Sequence, residues 1–253
     1  MIFMLAGTSD ARNLALALQS AGYAVTATVV TDSAATSLAQ VGLPHLVGRL
    51  TAEEMAALIT ERGDRLVVDA SHPFAEEASK NAMAAAKSAG VPYIRYERAN
   101  EHYEHPLITV VKDYEEAAQL AATKRGVIML TTGSKTLATF TKVLQGLEHT
   151  RVIARMLPRL DNMEKCEALG VAQRDIVAIQ GPFSKELNEA LFRQYDVTVM
   201  ITKESGKVGS VDEKLEAALA CGIETILIAR PNIQYGQQYS SFEDVLQAVQ
   251  NIL

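Results

Sequence analysis

The chain has 253 residues and a mass of 27.4 kDa, enough for one large α/β domain or two small ones. Hydrophobic residues make up 48% and charged residues 21%, which excludes a disordered or fibrous chain. The net charge of −6 argues against a nonspecific nucleic-acid binder or a binder of acidic membranes. Two widely separated cysteines and the lack of a signal or membrane-spanning segment lead us to expect a cytoplasmic protein.

The first half of the chain alternates predicted strands with predicted helices. The apolar run 2–6 precedes Gly-Thr-Ser-Asp and a helical pattern that ends at Gly22. Further strands are predicted at 25–30, 46–47, 66–68, 92–96 and 107–111. One further helix is predicted to begin at residue 51, and two more are predicted at 74–89 and 114–123.

A second alternating series follows Lys124-Arg125-Gly126. Its predicted strands lie near 127–131, 151–156, 176–180, 197–201 and 224–229, and its helices near 135–145, 161–169, 184–194, 212–221 and 241–252. Helices between strands imply parallel sheets, because each crossover helix covers a sheet face. We therefore predict an α/β fold of two Rossmann-like lobes, residues 1–125 and 126–253, with a ligand cleft between them. One continuous sheet stays an alternative, because no linker-like segment separates the halves.

The first loop joins the first predicted strand to the first helix. Backbone N–H groups at such a helix start bind phosphate, and the two hydroxyls add donors. The loop is not GxGxxG, and a glycine turn with a helix N-cap explains it equally well. The residues predicted here to bind a dinucleotide are Gly7, Thr8, Ser9, Asp10 and Arg12.

Asp32 stands at the end of the second predicted strand, where dinucleotide folds place the group that reads the ribose. A carboxylate accepts hydrogen bonds from a 2′-hydroxyl and repels a 2′-phosphate. No Arg or Lys lies between Val30 and Gln40. Asp32 therefore favours NADH over NADPH, with a helix cap as the alternative interpretation.

The segment Asp69-Ala70-Ser71-His72-Pro73-Phe74-Ala75 puts a carboxylate, a hydroxyl and an imidazole at one strand end. Because a residue before proline is pushed toward an extended conformation, the ring of His72 is expected to project from the strand tip. A proline at the first position of a helix would explain Pro73 but not the whole cluster. We expect Ser71, Pro73 and Phe74 to contact the cofactor.

Polar loops also follow strands of the second half. Residues 131–135, 180–184 and 202–209 combine glycines, hydroxyls and lysines that suit an anionic ligand. Capped helices and a mobile surface loop are the alternatives. A GxSxG elbow is absent, and so are spaced metal ligands, so we expect neither a serine hydrolase nor a bound metal.

Six segments, taken in chain order, carry a resemblance to a known family. They are 5–12, 68–75, 92–98, 132–135, 180–184 and 202–206. The Asp-Ala-Ser-His-Pro-Phe-Ala and Gly-Pro-Phe-Ser segments are the specific ones, whereas the first would match many nucleotide folds. Together they resemble the precorrin-6A reductase family of corrin biosynthesis, which includes the cobalt-precorrin-6A reductases.

The resemblance implies a two-lobed reductase that uses a nicotinamide cofactor to reduce one double bond of (cobalt-)precorrin-6A, giving (cobalt-)precorrin-6B in cobalamin biosynthesis. The resemblance implies that the small-molecule partner is a tetrapyrrole and that neighbouring enzymes of the pathway are candidate protein partners. The chain departs from the family pattern at Asp10, at Ala99 and in lacking an arginine soon after the second strand. The absence of this arginine favours NADH over NADPH as the cofactor. It also favours the cobalt-containing pathway, whose reductases resemble NADH-linked enzymes.

A reductase of this kind needs a proton donor and cations for the substrate carboxylates. The proton-donor candidates are His72, Lys203 and Ser205. The substrate-binding candidates are Arg95, Arg98, Gly133, Ser134, Lys135, Arg155, Ser184, Lys185 and Gly206, with Lys207 as a further cation. A reductase of another large anionic metabolite and a nucleotide-sensing module without turnover are the alternative functions.

Overall fold

The structure, a computed structural model, describes residues 1–99, 103–204 and 213–253. From the N-terminus the elements are β1 (Ile2–Leu5), α1 (Ser9–Ser20), β2 (Val25–Val29), α2 (Asp32–Ala39), β3 (His45–Val47), α3 (Ala52–Arg62), β4 (Leu66–Asp69), α4 (Glu76–Ala89) and β5 (Tyr93–Tyr96). Then follow β6 (Ile108–Val111), α5 (Tyr114–Lys124), β7 (Gly126–Leu130), α6 (Leu137–Leu144), β8 (Thr150–Met156), α7 (Leu160–Ala168), β9 (Ile176–Ala178), α8 (Lys185–Gln194), β10 (Val199–Lys203), α9 (Glu213–Ala220) and β11 (Glu224–Ile228). The chain ends with β12 (Gln238–Tyr239) and α10 (Phe242–Ile252).

The chain forms two compact units. The first consists of Met1–Ala99 together with Asn232–Leu253, and the second of Asn100–Pro231. Within the described ranges each unit has one parallel sheet of six strands, in the order β3-β2-β1-β4-β5-β12 and β9-β8-β7-β10-β11-β6. This confirms the prediction of two Rossmann-like lobes and rules out one continuous sheet through the described residues.

Helices cover both faces of the first sheet, which explains why β1 is apolar at every position. Ile2 and Met4 pack on one face in a cluster with residues of α1 and α10. Phe3 and Leu5 point to the other face and pack with residues of α3 and α4. A strand buried on both sides shows a continuous apolar run rather than an alternating pattern.

The division between the units corrects the expected border at residue 125. β6 and α5 precede that residue yet belong to the second unit, where β6 pairs with β11. The C-terminal segment returns to the first unit, where β12 pairs with β5. Strands of both sheets share the same apolar pattern, so periodicity predicts a strand without saying which sheet it joins.

In both sheets the strand order reverses at one point. β1 has β2 on one side and β4 on the other, and β7 likewise lies between β8 and β10. We call the carboxyl ends of β1 and β4, and those of β7 and β10, the two switch points. Ligands of such sheets bind in the crevice at this place. No helix in the described part of the chain is long and apolar enough for a membrane crossing.

Candidate functional site

Gly7 and Thr8 form the turn at the first switch point. Gly7 has a φ of 152°, which side-chain-bearing residues rarely adopt, and no described atom lies within 4 Å of where its Cβ would stand. The hydroxyl of Thr8 accepts a hydrogen bond from Ala11 N–H at 3.1 Å and caps α1, whose first residue is Ser9. A ligand can approach this backbone closely. The free end of α1 therefore fits the pyrophosphate of a dinucleotide.

Three charged side chains near this turn have partners inside the first unit. Asp10 forms an ion pair with Arg98, and the two side chains are 25% and 22% exposed. Arg12 donates from Nη1 to Ser37 Oγ at 2.7 Å and so ties α1 to α2. The structure thus gives Asp10, Arg12 and Arg98 local structural partners, whereas the sequence had suggested ligand contacts for all three.

Asp32 lies exposed at the first position of α2. The cap of that helix is Thr31, whose side chain accepts a hydrogen bond from Ala34 N–H at 3.2 Å. A carboxylate in a first turn is stabilised by the helix dipole, which accounts for part of its position. Its exposure after β2 also fits the ribose-reading position of a dinucleotide fold.

Arg95 lies at the centre of a buried ionic network. Its side chain has no exposed surface, and it donates to Asp69 Oδ1 at 2.9 Å and to Glu97 Oε2 at 2.7 Å. The guanidinium also lies 4.9 Å from the centre of the Tyr235 ring. Burial lowers the pKa of Arg95, but the two carboxylates outweigh burial and leave the pKa raised. This placement corrects the prediction that Arg95 binds substrate, because its charge is compensated inside the fold.

The network also fixes the loop that follows β4. Asp69 Oδ1 accepts from Ser71 N–H at 2.9 Å, and Arg95 Nη1 donates to Ser71 Oγ at 3.2 Å. Tyr93 donates its hydroxyl to Asp69 Oδ2 at 2.8 Å, and burial together with Asp69 raises the pKa of this tyrosine. Ser71 is 8% exposed. Its side chain therefore stabilises the loop, and the expected contact with a cofactor stays a prediction.

His72 is the exposed member of this loop. Its Nδ1 accepts a hydrogen bond from Phe74 N–H at 3.2 Å, so neutral His72 carries its proton on Nε2. Ala75 N–H donates to the carbonyl of His72 at 2.8 Å. Because Pro73 and Phe74 belong to this turn, α4 begins at Glu76 rather than at the predicted residue 74.

The second unit contains a pocket of about 470 Å³ at the carboxyl edge of its sheet. Its walls combine apolar and charged side chains from the ends of β7, β8 and β9 and the start of α9. They include Met156, Leu157, Phe183, Arg155, Lys214 and Glu213. A pocket of this size and mixed lining is typical of small-molecule sites.

Lysines gather at the second switch point. Lys203 ends β10, Lys135 follows β7, and Lys214 lies in α9 beside the pocket. Burial lowers the pKa of Lys203, and the positive charges of Lys214 and Lys135 lower it further. The carboxyl edge of this sheet therefore brings three lysines together, with Glu213 next to Lys214 in the lining of the pocket.

The remaining predicted substrate residues have varied surroundings. Gly133 lines the pocket with a φ of 82°. Ser134 Oγ donates to Asn162 Oδ1 at 2.5 Å, and Ser184 caps α8 by accepting from Leu187 N–H at 3.2 Å. Lys185 forms an exposed ion pair with Glu216. Ser205, Gly206 and Lys207 lie outside the described residues.

Sequence reasoning missed several residues that shape these sites: Asn188 and Lys214 in the second unit and Tyr235 in the first. Phe183 and Glu97 lie within the segments 180–184 and 92–98 that the sequence singled out, but they received no role of their own there. Asn188 had a detectable signal, because it is a polar residue on the same helical face as the apolar Phe192. Among the described residues, no group of three or more His, Cys, Asp or Glu side chains could hold a metal ion.

Comparison with known proteins decides the family. The family model for precorrin-6x reductase CbiJ/CobK matches residues 1–250. The chain belongs to the precorrin-6x reductase CbiJ/CobK family. Membership confirms the resemblance noted in the sequence, and it makes the protein a nicotinamide-dependent oxidoreductase of cobalamin biosynthesis. A nucleotide-sensing module without turnover is disfavoured.

Individual relatives agree with the family. The chain is 60% identical over 251 residues to a cobalt-precorrin-6A reductase of Priestia megaterium, covering 99% of this chain and 98% of the relative. It is 37% identical over 232 residues to a protein of the same name from Salmonella typhimurium, covering 91% and 87%. The solved structure of CobK precorrin-6A reductase shares the fold, with a TM-score of 0.77 at 24% identity and coverage of 99% and 96%.

Proposed function

We propose that this protein reduces one double bond of cobalt-precorrin-6A to give cobalt-precorrin-6B, with NADH as the preferred reductant. The observation that carries the substrate assignment is the cationic and partly apolar pocket of the second unit, in a chain 60% identical to a cobalt-precorrin-6A reductase. A tetrapyrrole of this class has an apolar ring face and a rim of acetate and propionate carboxylates. The pocket offers a partner for each.

The reaction needs a hydride and a proton. A bound NADH would supply the hydride and be oxidised to NAD⁺, and the residues of this chain would supply binding, orientation and the proton. One carbon of the substrate double bond accepts the hydride and its neighbour accepts the proton. We assign the proton to Lys203, because burial and neighbouring lysines lower the pKa of its ammonium and make it a stronger acid.

Residues of the first switch point would hold the dinucleotide. The turn at Gly7 and Thr8 leads into the N-terminus of α1, which can receive the pyrophosphate. The loop at His72, Pro73 and Phe74 stands at the end of β4, across the same switch point, and the Asp69 network fixes its base. These residues bind and orient, and none of them needs to carry charge in the reaction.

Residues of the second unit would hold the substrate. Arg155 and Lys214 line the pocket and attract carboxylates, and Lys135 adds charge nearby. Met156, Leu157 and Phe183 give the ring an apolar surface. Excluding water from this surface strengthens each ionic contact.

The preference for NADH rests on Asp32. A 2′-phosphate beside this carboxylate loses the ribose hydrogen bond and meets like charge, which costs about 1–3 kcal/mol and gives roughly a tenfold to hundredfold preference. Asp32→Ser combined with Ser33→Arg is expected to shift kcat/KM toward NADPH. The argument is wrong if kcat/KM for NADPH equals or exceeds that for NADH in the unmodified protein.

Anaerobic kinetics test the whole proposal. NADH fluorescence should decay when purified cobalt-precorrin-6A is added, and mass spectrometry should show a product that has gained one hydride and one proton. The cobalt-free substrate serves as the comparison. Turnover of another large anionic metabolite without turnover of either precorrin would assign the protein a different substrate.

A further inference from the structure

Three elements of the second unit meet around one guanidinium. Arg155 comes from β8, Phe183 from the loop after β9, and Asn188 from α8, and all three line the pocket. Arg155 is 8% exposed. A long side chain loses rotamer freedom when it binds a ligand, and this loss weakens binding. Neighbours that already fix the orientation of Arg155 in the unliganded protein reduce that cost.

Asn188 fixes one edge of the guanidinium. Its Oδ1 accepts from Arg155 Nη1 at 2.7 Å, and its Nδ2 donates to the carbonyl of Ser184 at 2.7 Å. The side chain is 1% exposed, so both ends of a buried amide are used. An amide oxygen accepts the hydrogen bond without bringing a negative charge to the arginine. Asn188 therefore orients the guanidinium and adds no charge of its own.

Phe183 supports the flat face of the same group. The Arg155 Cζ atom lies 4.6 Å from the centre of the Phe183 ring, within the range of a cation–π contact. The ring in turn depends on Gly181, because a Cβ there would come within 3.0 Å of Phe183 Cε2. This contact gives the Gly-Pro-Phe-Ser segment a physical role in shaping the pocket.

We infer that Asn188 and Phe183 are positioning residues that hold Arg155 as a preoriented fork for one carboxylate of the tetrapyrrole. The inference rests on the proposed function for the identity of the ligand. A guanidinium fixed at one edge and supported on one face matches the planar, bidentate geometry of a carboxylate. Ser184 contributes through its carbonyl, which accepts from Asn188, and through its cap of α8.

A double-mutant cycle tests whether the two residues act through Arg155. The probe is uroporphyrin III, a stable tetrapyrrole polycarboxylate, and its dissociation constant is measured by fluorescence on the full chain. Asn188→Leu and Phe183→Leu are each expected to weaken binding about fivefold to tenfold, and Arg155→Met by more. In the Arg155→Met background, Asn188→Leu and Phe183→Leu should change binding less than about twofold.

A porphyrin of similar size that carries cationic substituents is the charge control, and its binding should not fall in any variant. Equal losses in both backgrounds, or no loss in the single variants, would overturn the inference. If Asn188→Leu does not fold, Phe183→Leu decides, since this ring is only partly buried. Turnover of cobalt-precorrin-6A by the unmodified protein is measured separately, so a failed function and a failed positioning role give different results.

Discussion

The two switch points share a topology and differ in charge. In each sheet an acidic residue lies at the carboxyl end of the second strand of the switch point, which is β4 in the first unit and β10 in the second. It pairs with an arginine in, or just after, the neighbouring strand, β5 or β11. These pairs are Asp69 with Arg95 in the first unit and Glu204 with Arg230 in the second. The first unit adds another acid, Glu97, to its arginine. The second instead gathers Lys135, Lys203 and Lys214 around its switch point.

The shared ion pairs and the added lysines have different roles. Buried acid–arginine pairs fix the backbone where the strand order reverses, and removing one partner is costly. Lys135 and Lys214 lower the pKa of Lys203, and a titratable group perturbed by its neighbours at a strand end is typical of a ligand-binding or catalytic site. The first switch point suits a dinucleotide held mainly by backbone N–H groups, and the second suits a polycarboxylate held by side chains.

The largest expected effect concerns the first network. Arg95→Met should lower the free energy of unfolding by about 3–5 kcal/mol, because it leaves Asp69 and Glu97 buried without their cation. Urea unfolding measures this loss. Lys80→Met is the control, since its exposed pair with Glu76 is worth about 0.5 kcal/mol. A loss for Arg95→Met no larger than that of the control contradicts a structural role.

Lys203→Met tests catalysis rather than folding. The substitution relieves the repulsion from Lys135 and Lys214, and urea unfolding measures the net change in stability. Because the proposed proton donor is gone, kcat for cobalt-precorrin-6A should fall about a hundredfold, while NADH affinity stays the same. Lys142→Met, an exposed lysine of α6, is the matched control. A loss confined to NADH binding would refute the assignment.

The pH dependence sharpens the role of Lys203. A proton donor must be protonated, so kcat should be full below its lowered pKa and fall as the pH rises through it. That fall should begin below the ordinary lysine value of about 10.4. Lys203→Met should remove this alkaline limb from the kcat profile. A limb that persists unchanged in the variant would assign the titration to another group.

The sequence predicted most elements and the strand-end loops, because apolar runs alternate regularly with capped helices. It could not predict which sheet β6 and β12 join, since β12 has two residues and β6 resembles any other strand. Arg95 was misplaced for a related reason. A charged residue in a strand is usually exposed, and its partner Asp69 lies 26 positions away. Long-range pairing of this kind is visible only in the folded chain.

One pair of binding measurements tests the central claim, that the two switch points hold different ligands. Gly7→Val should prevent NADH from approaching the backbone at the first switch point and raise its dissociation constant strongly. The binding of uroporphyrin III should not change. Arg155→Met should weaken uroporphyrin III binding and leave NADH binding unchanged. Folded variants that each lose both ligands, or that show the reverse pattern, would contradict the account.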